Sequence, residues 1–204
     1  MRPKSCDDPS MIAVTEITGL ILAGGRGTRM GEVDKGLQPF RGYPMAMHVL
    51  MRLAPQVSAV LVNANQNLAA YESLGHPVVV DAVQGYAGPL AGMHAGLSQC
   101  DTEYLLSAPC DSPFLPQDLA RRLAEGLVSA NADVAIAKTG TRTHPVFCLV
   151  RTALVDHLGE FLAGGGRKID AWTSSLAHVE VAFDDADAFR NINTLDELKR
   201  FEAA

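Results

Sequence analysis

The 204-residue sequence has little of what marks several large classes of protein. Its four cysteines show no Cys-x-x-Cys spacing and its six histidines no His-x-x-x-His spacing, so neither a disulfide framework nor a zinc site is expected. No apolar run approaches the roughly 18 residues that cross a bilayer. Lysine and arginine number 17 against 23 aspartates and glutamates, whereas a general nucleic-acid binder usually carries a basic excess. We therefore expect no nucleic-acid or membrane partner, and reduced thiols typical of the cytoplasm.

The remaining composition is that of an ordinary globular protein, with 48% hydrophobic and 20% charged residues. A chain of this length suits one domain, which we place at residues 16–204. Residues 1–15 contain no apolar segment of the kind that a secretory signal needs. We predict that they form a flexible tail.

The most informative stretch is residues 17–37, where an apolar run, Leu20–Ala23, leads into a glycine-rich loop with cations that include Arg29 and Lys35. Glycine lets the backbone approach a ligand closely, and consecutive N–H groups form an anion-binding concavity. The P-loop is excluded because the chain has no Gly-Lys pair, and Met30 replaces the third glycine of the dinucleotide fingerprint. A triphosphate ligand is predicted; a basic strand-to-helix turn is the structural alternative.

Polar residues follow two further apolar runs. Asn63 follows residues 58–62, and Asp81 follows residues 78–80. Because the carboxyl ends of parallel strands face the ligand crevice, Asn63 is a candidate for contact with a base or ribose, and Asp81 is predicted to lie at the same edge. Asn65 is predicted to cap the next helix instead.

Asp111 is the most specific single candidate for a functional residue in the chain. It follows the apolar run 103–108 and lies between Pro109 and Pro113. Mg²⁺ typically takes one or two protein carboxylates and fills its other positions with phosphate and water. Asp111 is therefore a candidate Mg²⁺ ligand, with an aspartate in a proline-rich turn as the alternative. Cys110 has no histidine nearby in the sequence and is interpreted as a small buried residue.

Strands alternate with helices up to residue 137, which predicts a mostly parallel sheet with helices on both faces. The helix at residues 45–53 is expected to turn Met47, Leu50 and Met51 toward the core. The glycines of residues 88–93 open another helix. They allow either an anion or sugar hydroxyl at its N-terminus or tight helix–sheet packing.

Several motifs occur in the order known from one family. Leu22-Ala23-Gly24-Gly25-x-x-x-Arg29-Met30-Gly31-x-x-Asp34-Lys35-Gly36 resembles the signature loop of nucleotidyltransferases. With Gly88-Pro89-Leu90-Ala91-Gly92-Met93, Pro109-Cys110-Asp111-Ser112-Pro113 and Asn191-Ile192-Asn193-Thr194, the sequence resembles the molybdenum cofactor guanylyltransferases over most of its length. The sequence departs from the family pattern at two positions: the family frequently has threonine at the position of Ser112 and proline at the position of Leu195.

The resemblance implies an α/β, Rossmann-like three-layer sandwich that transfers GMP from GTP to Mo-molybdopterin with Mg²⁺ as cofactor. The implied GTP-binding residues are Leu22, Ala23, Gly24, Lys35, Asn63, Asp81 and Asp111. Asp111 also binds Mg²⁺, Asn191 and Asn193 contact the pterin, and Arg29, Lys35 and Asp111 are the catalytic residues. The N-terminal part of the domain is thus expected to bind GTP, and the C-terminal part is expected to contribute to the molybdopterin site.

The expected protein is a cytoplasmic monomer that makes transient contact with molybdenum-insertion proteins or molybdoenzymes. Two alternatives stay open. One is a related nucleotidyltransferase that uses CTP or a sugar-phosphate acceptor. The other is a non-catalytic module that binds and delivers GTP or the pterin.

Overall fold

The computed structural model describes residues 11–24, 34–82 and 88–202. Its strands are β1 (Ile17–Leu22), β2 (Pro39–Phe40), β3 (Tyr43–Pro44), β4 (Ala59–Asn63), β5 (Val78–Val79), β6 (Tyr104–Pro109), β7 (Val134–Thr139), β8 (Arg142–Arg151) and β9 (His178–Phe183). A seven-stranded sheet has the order β5-β4-β1-β6-β8-β7-β9, and β2 pairs with β3 in a separate hairpin.

Pairing in the large sheet is parallel except around β8. β1 lies between β4 and β6 and is parallel to both; β4 is parallel to β5 and β7 to β9. β8 runs antiparallel to β6 and β7. The carboxyl ends of β1, β4, β5 and β6 therefore meet at one edge of the sheet, where ligands of open α/β sheets bind.

The helices cover both faces of the sheet. They are α1 (Met45–Leu53), α2 (Leu68–Glu72), α3 (Pro89–Ser98), α4 (Leu119–Ser129), α5 (Val155–Ala163), α6 (Ile169–Thr173) and α7 (Leu195–Glu202). Ile17 and Ile21 of β1 contribute to a core with α1, α2 and α4, whereas Leu20 and Leu22 contribute to a core with α3, α5 and α6. Alternate side chains of a strand point to opposite faces, so this division confirms the predicted three-layer α/β sandwich.

The buried face of α1 differs from the predicted one. The helix has the expected bounds, but its buried residues are Met45, Ala46, Val49, Leu50 and Leu53, and Met51 is 51% exposed. The prediction for Met51 is wrong because α1 packs against β1 with the side of the helix that carries Leu53, and Met51 lies on another side. Gly19 makes this approach possible, since a Cβ there would lie 3.0 Å from Leu53 Cδ2.

A smaller apolar cluster fixes the C-terminal segment beside the end of β6. Its buried members are Phe40, Met45, Ile192 and Leu198. A capping box opens α7: the Glu197 N–H donates to Thr194 Oγ1 at 3.1 Å, and the Thr194 N–H donates to Glu197 Oε2 at 3.2 Å. Ahead of it, the Ile192 N–H donates to the Asp111 carbonyl at 2.8 Å. Residues 191–193 are thereby held against the turn that carries Asp111.

The first described residues lie against the domain. Val14–Glu16 forms a 3₁₀ turn, and Ile12 packs against the core that contains Ile17. Residues 1–10, the remainder of the predicted tail, lie outside the described residues. Within the described ranges, no helix has the length and apolar character needed to cross a membrane.

Candidate active site

A cavity of about 480 Å³ opens at the carboxyl edge of the sheet. Its wall contains the seven predicted GTP-binding residues, Leu22, Ala23, Gly24, Lys35, Asn63, Asp81 and Asp111. Asn191, one of the two predicted pterin contacts, also lines it. Residues that are far apart in the sequence thus share one cavity. Arg29 lies outside the described residues.

An ion pair between Lys35 and Asp111 forms part of the wall. Lys35 Nζ donates to Asp111 Oδ2 at 3.5 Å and to Asn193 Oδ1 at 2.8 Å. Only 11% of the Asp111 side chain and 20% of the Lys35 side chain are exposed. Burial raises the pKa of Asp111 above its ordinary value, although the Lys35 ammonium opposes this shift. The carboxylate is therefore incompletely compensated and gains stability from a further cation.

The donor chemistry of this wall fits Mg²⁺. Asp111 offers a hard carboxylate oxygen at a cavity large enough for phosphates and water, which supply most Mg²⁺ ligands in nucleotide sites. Among the described residues, no group of three or more His, Cys, Asp or Glu side chains is placed to hold a metal ion. A site with one protein carboxylate agrees with the Mg²⁺ preference and offers no dedicated protein cage.

Asp81 is held by two asparagine amides. Asn63 Nδ2 donates to Asp81 Oδ1 at 2.8 Å and Asn65 Nδ2 to Asp81 Oδ2 at 2.8 Å. The Asp81 N–H donates back to Asn65 Oδ1 at 2.9 Å. The prediction that Asn65 caps a helix is wrong, because the N-cap of α2 is Asn67. Pairing of β5 with β4 brings Asp81 beside Asn65. The pattern of neighbouring residues in the sequence does not predict this contact.

Tight packing, one of the two roles predicted for the glycines at the start of α3, is found at Gly92. A Cβ on Gly92 would lie 2.2 Å from Asn63 Oδ1 and 2.7 Å from Leu22 Cδ2, so Gly92 permits tight helix–sheet packing. Gly88 has φ of 72° and lines the cavity together with Pro89. The N-terminus of α3 is therefore directed to the cavity, and a ligand contact there remains a prediction.

The two C-terminal asparagines also support the cavity wall. Asn191 Oδ1 accepts a hydrogen bond from Ser112 Oγ at 2.9 Å, next to Asp111. Asn193 accepts its bond from Lys35. Their predicted contact with the pterin stays a prediction; in the structure Asn193 binds Lys35 and Asn191 binds the residue that follows Asp111.

Cys110 lies in the same wall and is 8% exposed. Burial raises the pKa of its thiol, and the charges of Asp111 and Asp34 raise it further. The thiolate form is therefore disfavoured, which confirms the interpretation of Cys110 as a small buried residue. Sequence reasoning missed Asp34, which also lines the cavity; its place directly before Lys35 was the available signal.

Comparison with known proteins agrees with this fold and cavity. The MobA-like NTP transferase domain family matches residues 19–179. The crystal structure of the molybdopterin-guanine dinucleotide biosynthesis protein A from Archaeoglobus fulgidus superimposes with a TM-score of 0.75 at 25% identity, over 91% of this chain and 97% of that one. The fold and the site thus define a protein of the NTP transferase class.

Relatives that align with this chain over nearly their whole length identify the family within the NTP transferase class. The molybdenum cofactor guanylyltransferase of Ralstonia nicotianae is 62% identical over 199 residues, which cover 93% of this chain and 98% of the relative. The enzyme of the same name from Cupriavidus metallidurans is 61% identical over 198 residues, or 95% and 98% of the two chains. The chain belongs to the molybdenum cofactor guanylyltransferase family.

Proposed function

We propose that the protein transfers GMP from GTP to Mo-molybdopterin, with Mo-molybdopterin guanine dinucleotide and pyrophosphate as products. The observation that carries the proposal is the shared cavity, whose wall contains the implied GTP residues and, among them, the partly buried Lys35–Asp111 pair. The names of the full-length relatives support the same reaction.

The chemistry explains why the site needs cations more than a base. An oxygen of the terminal phosphate of Mo-molybdopterin attacks the α-phosphorus of GTP, and the bond to the β-phosphate oxygen breaks as pyrophosphate leaves with the electron pair. Both reactants are anions, so repulsion and positioning dominate the barrier. The attacking phosphate is already ionised at neutral pH, and no general base is required.

Lys35 is the cation that the described wall offers to the triphosphate. Its ammonium has three donors, of which one reaches Asn193 at 2.8 Å and another lies 3.5 Å from Asp111. The longer contact with Asp111 is the weaker one and is readily exchanged for a phosphate oxygen. In this proposal the glycine loop and Arg29 supply further donors, and Asp81 accepts from guanine N–H groups or from ribose hydroxyls.

Asp111 would hold Mg²⁺ in this proposal. When bound, the ion supplies positive charge that offsets the developing charge on the phosphates. The buried, undercompensated carboxylate of Asp111 favours an added cation, and Lys35 is then free to turn its donors to the nucleotide.

Pyrophosphate release tests the proposal. Release is measured with GTP, CTP, ATP or UTP, each with Mo-molybdopterin, with a sugar phosphate or with no acceptor, and with and without Mg²⁺. We expect release only when GTP, Mo-molybdopterin and Mg²⁺ are all present. Release with CTP or with a sugar phosphate would indicate the related nucleotidyltransferase, and GTP binding without release under any condition would indicate a delivery module.

The proposal also includes the location, the oligomeric state, the domain organisation and the partners that were predicted from the sequence. The protein is a cytoplasmic monomer with one domain, whose C-terminal part completes the pterin side of the site and whose product passes to molybdenum-insertion proteins or molybdoenzymes. The scattered spacing of the four cysteines in the sequence supports a reducing compartment.

A further inference from the structure

The carboxylate of Asp34, directly before Lys35, is bound from several directions. Gly36 N–H donates to Oδ1 at 3.2 Å, which is a local bond within the turn. The other bonds come from α2 and its N-cap: Tyr71 Oη donates to Oδ1 at 2.5 Å, and Asn67 Nδ2 donates to Oδ2 at 3.0 Å. Asp34 therefore joins the end of the signature loop to a separate element of the fold.

Tyr71 is well suited to hold this carboxylate. The side chain is completely buried, and burial raises the pKa of its hydroxyl above the ordinary value, so the group remains a protonated donor. Its oxygen also shapes the turn, because a Cβ on Gly36 would lie 2.4 Å from Tyr71 Oη and 3.1 Å from Cys110 Sγ. The turn thus fits against Tyr71 only with glycine at this position.

The orientation of this turn determines where the Lys35 ammonium lies. Asp34 is the N-cap of the 3₁₀ turn Lys35–Leu37, and its carbonyl accepts the Leu37 N–H at 3.3 Å. From this turn Lys35 reaches Asp111 and Asn193. A rotation of the turn would move the ammonium away from both partners.

We infer that Asp34, Asn67 and Tyr71 form an anchor that positions Lys35 for contact with the triphosphate. Asn67 and Tyr71 are positioning residues, since they act through Asp34. The inference rests on the proposed function for the identity of the ligand. Its competitor is an anchor that only stabilises the fold, and the experiments separate the two.

The first experiment removes one donor at a time. Tyr71→Phe deletes the buried hydroxyl and keeps the ring, and Asn67→Gly deletes the amide at an exposed position whose φ of 52° glycine tolerates. Tyr43→Phe, at a tyrosine that is 58% exposed, is the matched control. We expect Tyr71→Phe to lower kcat/KM for GTP about tenfold, because a hydrogen bond to a charged acceptor is lost, and Asn67→Gly to lower it less.

The comparison of GTP with guanosine separates positioning from folding. Guanosine has no phosphates for Lys35 to contact, so its affinity, measured by calorimetry, should be unchanged in both variants while that of GTP falls. An equal loss for guanosine and GTP, or no loss for either, would overturn the inference.

A double-mutant cycle tests whether the anchor acts through Lys35. If it does, adding Tyr71→Phe to Lys35→Ala should lower kcat/KM for GTP by less than twofold beyond Lys35→Ala alone. A full, additive tenfold loss in the double variant would contradict an action through Lys35.

Hydrogen exchange of the Gly36 amide tests the anchor without any substrate. The Gly36 N–H is bound to Asp34 Oδ1, so its exchange should accelerate in Tyr71→Phe and remain at the wild-type rate in Tyr43→Phe. Unchanged Gly36 protection would overturn the anchor. If the wild-type protein releases no pyrophosphate with GTP, the proposed function fails, and the exchange result still decides the anchor.

Discussion

Replacement of Asn65 by alanine tests the part of the site that the sequence did not reveal. The Asn65 amide makes two hydrogen bonds with Asp81, one to the carboxylate at 2.8 Å and one from the backbone N–H at 2.9 Å. In Asn65→Ala both bonds are lost, and among the described residues the Asp81 carboxylate keeps its bond to Asn63. The carboxylate is then free to change rotamer.

The size of the expected loss of activity in Asn65→Ala follows from these two hydrogen bonds. A hydrogen bond to a charged group contributes about 1.5–3 kcal/mol and a neutral one about 0.5–1.5 kcal/mol. Asn65 is partly exposed, so water replaces part of what is lost. We therefore expect a loss of about 2 kcal/mol in transition-state stabilisation, or roughly thirtyfold in kcat/KM for GTP.

The assay is the initial rate of pyrophosphate release against GTP concentration at saturating Mo-molybdopterin. Asn65→Asp should be more damaging than Asn65→Ala, because it places a second negative charge at the Asp81 carboxylate. Gln99→Ala, which removes an amide from the exposed end of α3, is the control and should leave the rate unchanged. A kcat/KM for Asn65→Ala within twofold of the wild-type value would refute the reasoning.

Four further predictions concern residues in this wall or directly beside it. Asp111→Ala should abolish Mg²⁺-dependent turnover, and near-normal activity would exclude Asp111 as the metal ligand. Since burial raises the pKa of Asp111 in the folded state, its stabilising contribution is complete below about pH 4 and is lost as the pH rises through the folded pKa. In urea unfolding, Asp111→Asn should therefore gain stability relative to wild type as the pH rises above about 4, and a pH-independent difference would contradict this. Lys35→Ala should weaken GTP binding and slow transfer, and its effect should be absent for guanosine. Gly36→Ala should lower the free energy of unfolding by about 1–3 kcal/mol through overpacking, because its Cβ would lie 2.4 Å from Tyr71 Oη; an unchanged melting temperature would show that Tyr71 moves aside.

The order of elements and the edge of the sheet that carries the site were predictable from local patterns. The apolar run before Gly24 is β1, Asn63 is the last residue of β4, and Asp81 and Asp111 follow β5 and β6. These residues converge on one cavity because parallel strands place their carboxyl ends together. Strand propensity, glycine spacing and the position of a polar residue after an apolar run are all properties of neighbouring residues.

The partners of the site residues were decided by the tertiary structure alone. Lys35 binds Asn193, which is 158 positions away, because α7 and the hairpin of β2 and β3 bury a shared apolar cluster. Asn65 holds Asp81 because β5 pairs with β4, and Met51 is exposed because α1 turns Leu53 toward Gly19. The sequence thus determined the fold class and the residues at the sheet edge. Their partners required the folded chain, because strand register and helix rotation depend on long-range packing that local periodicity does not encode.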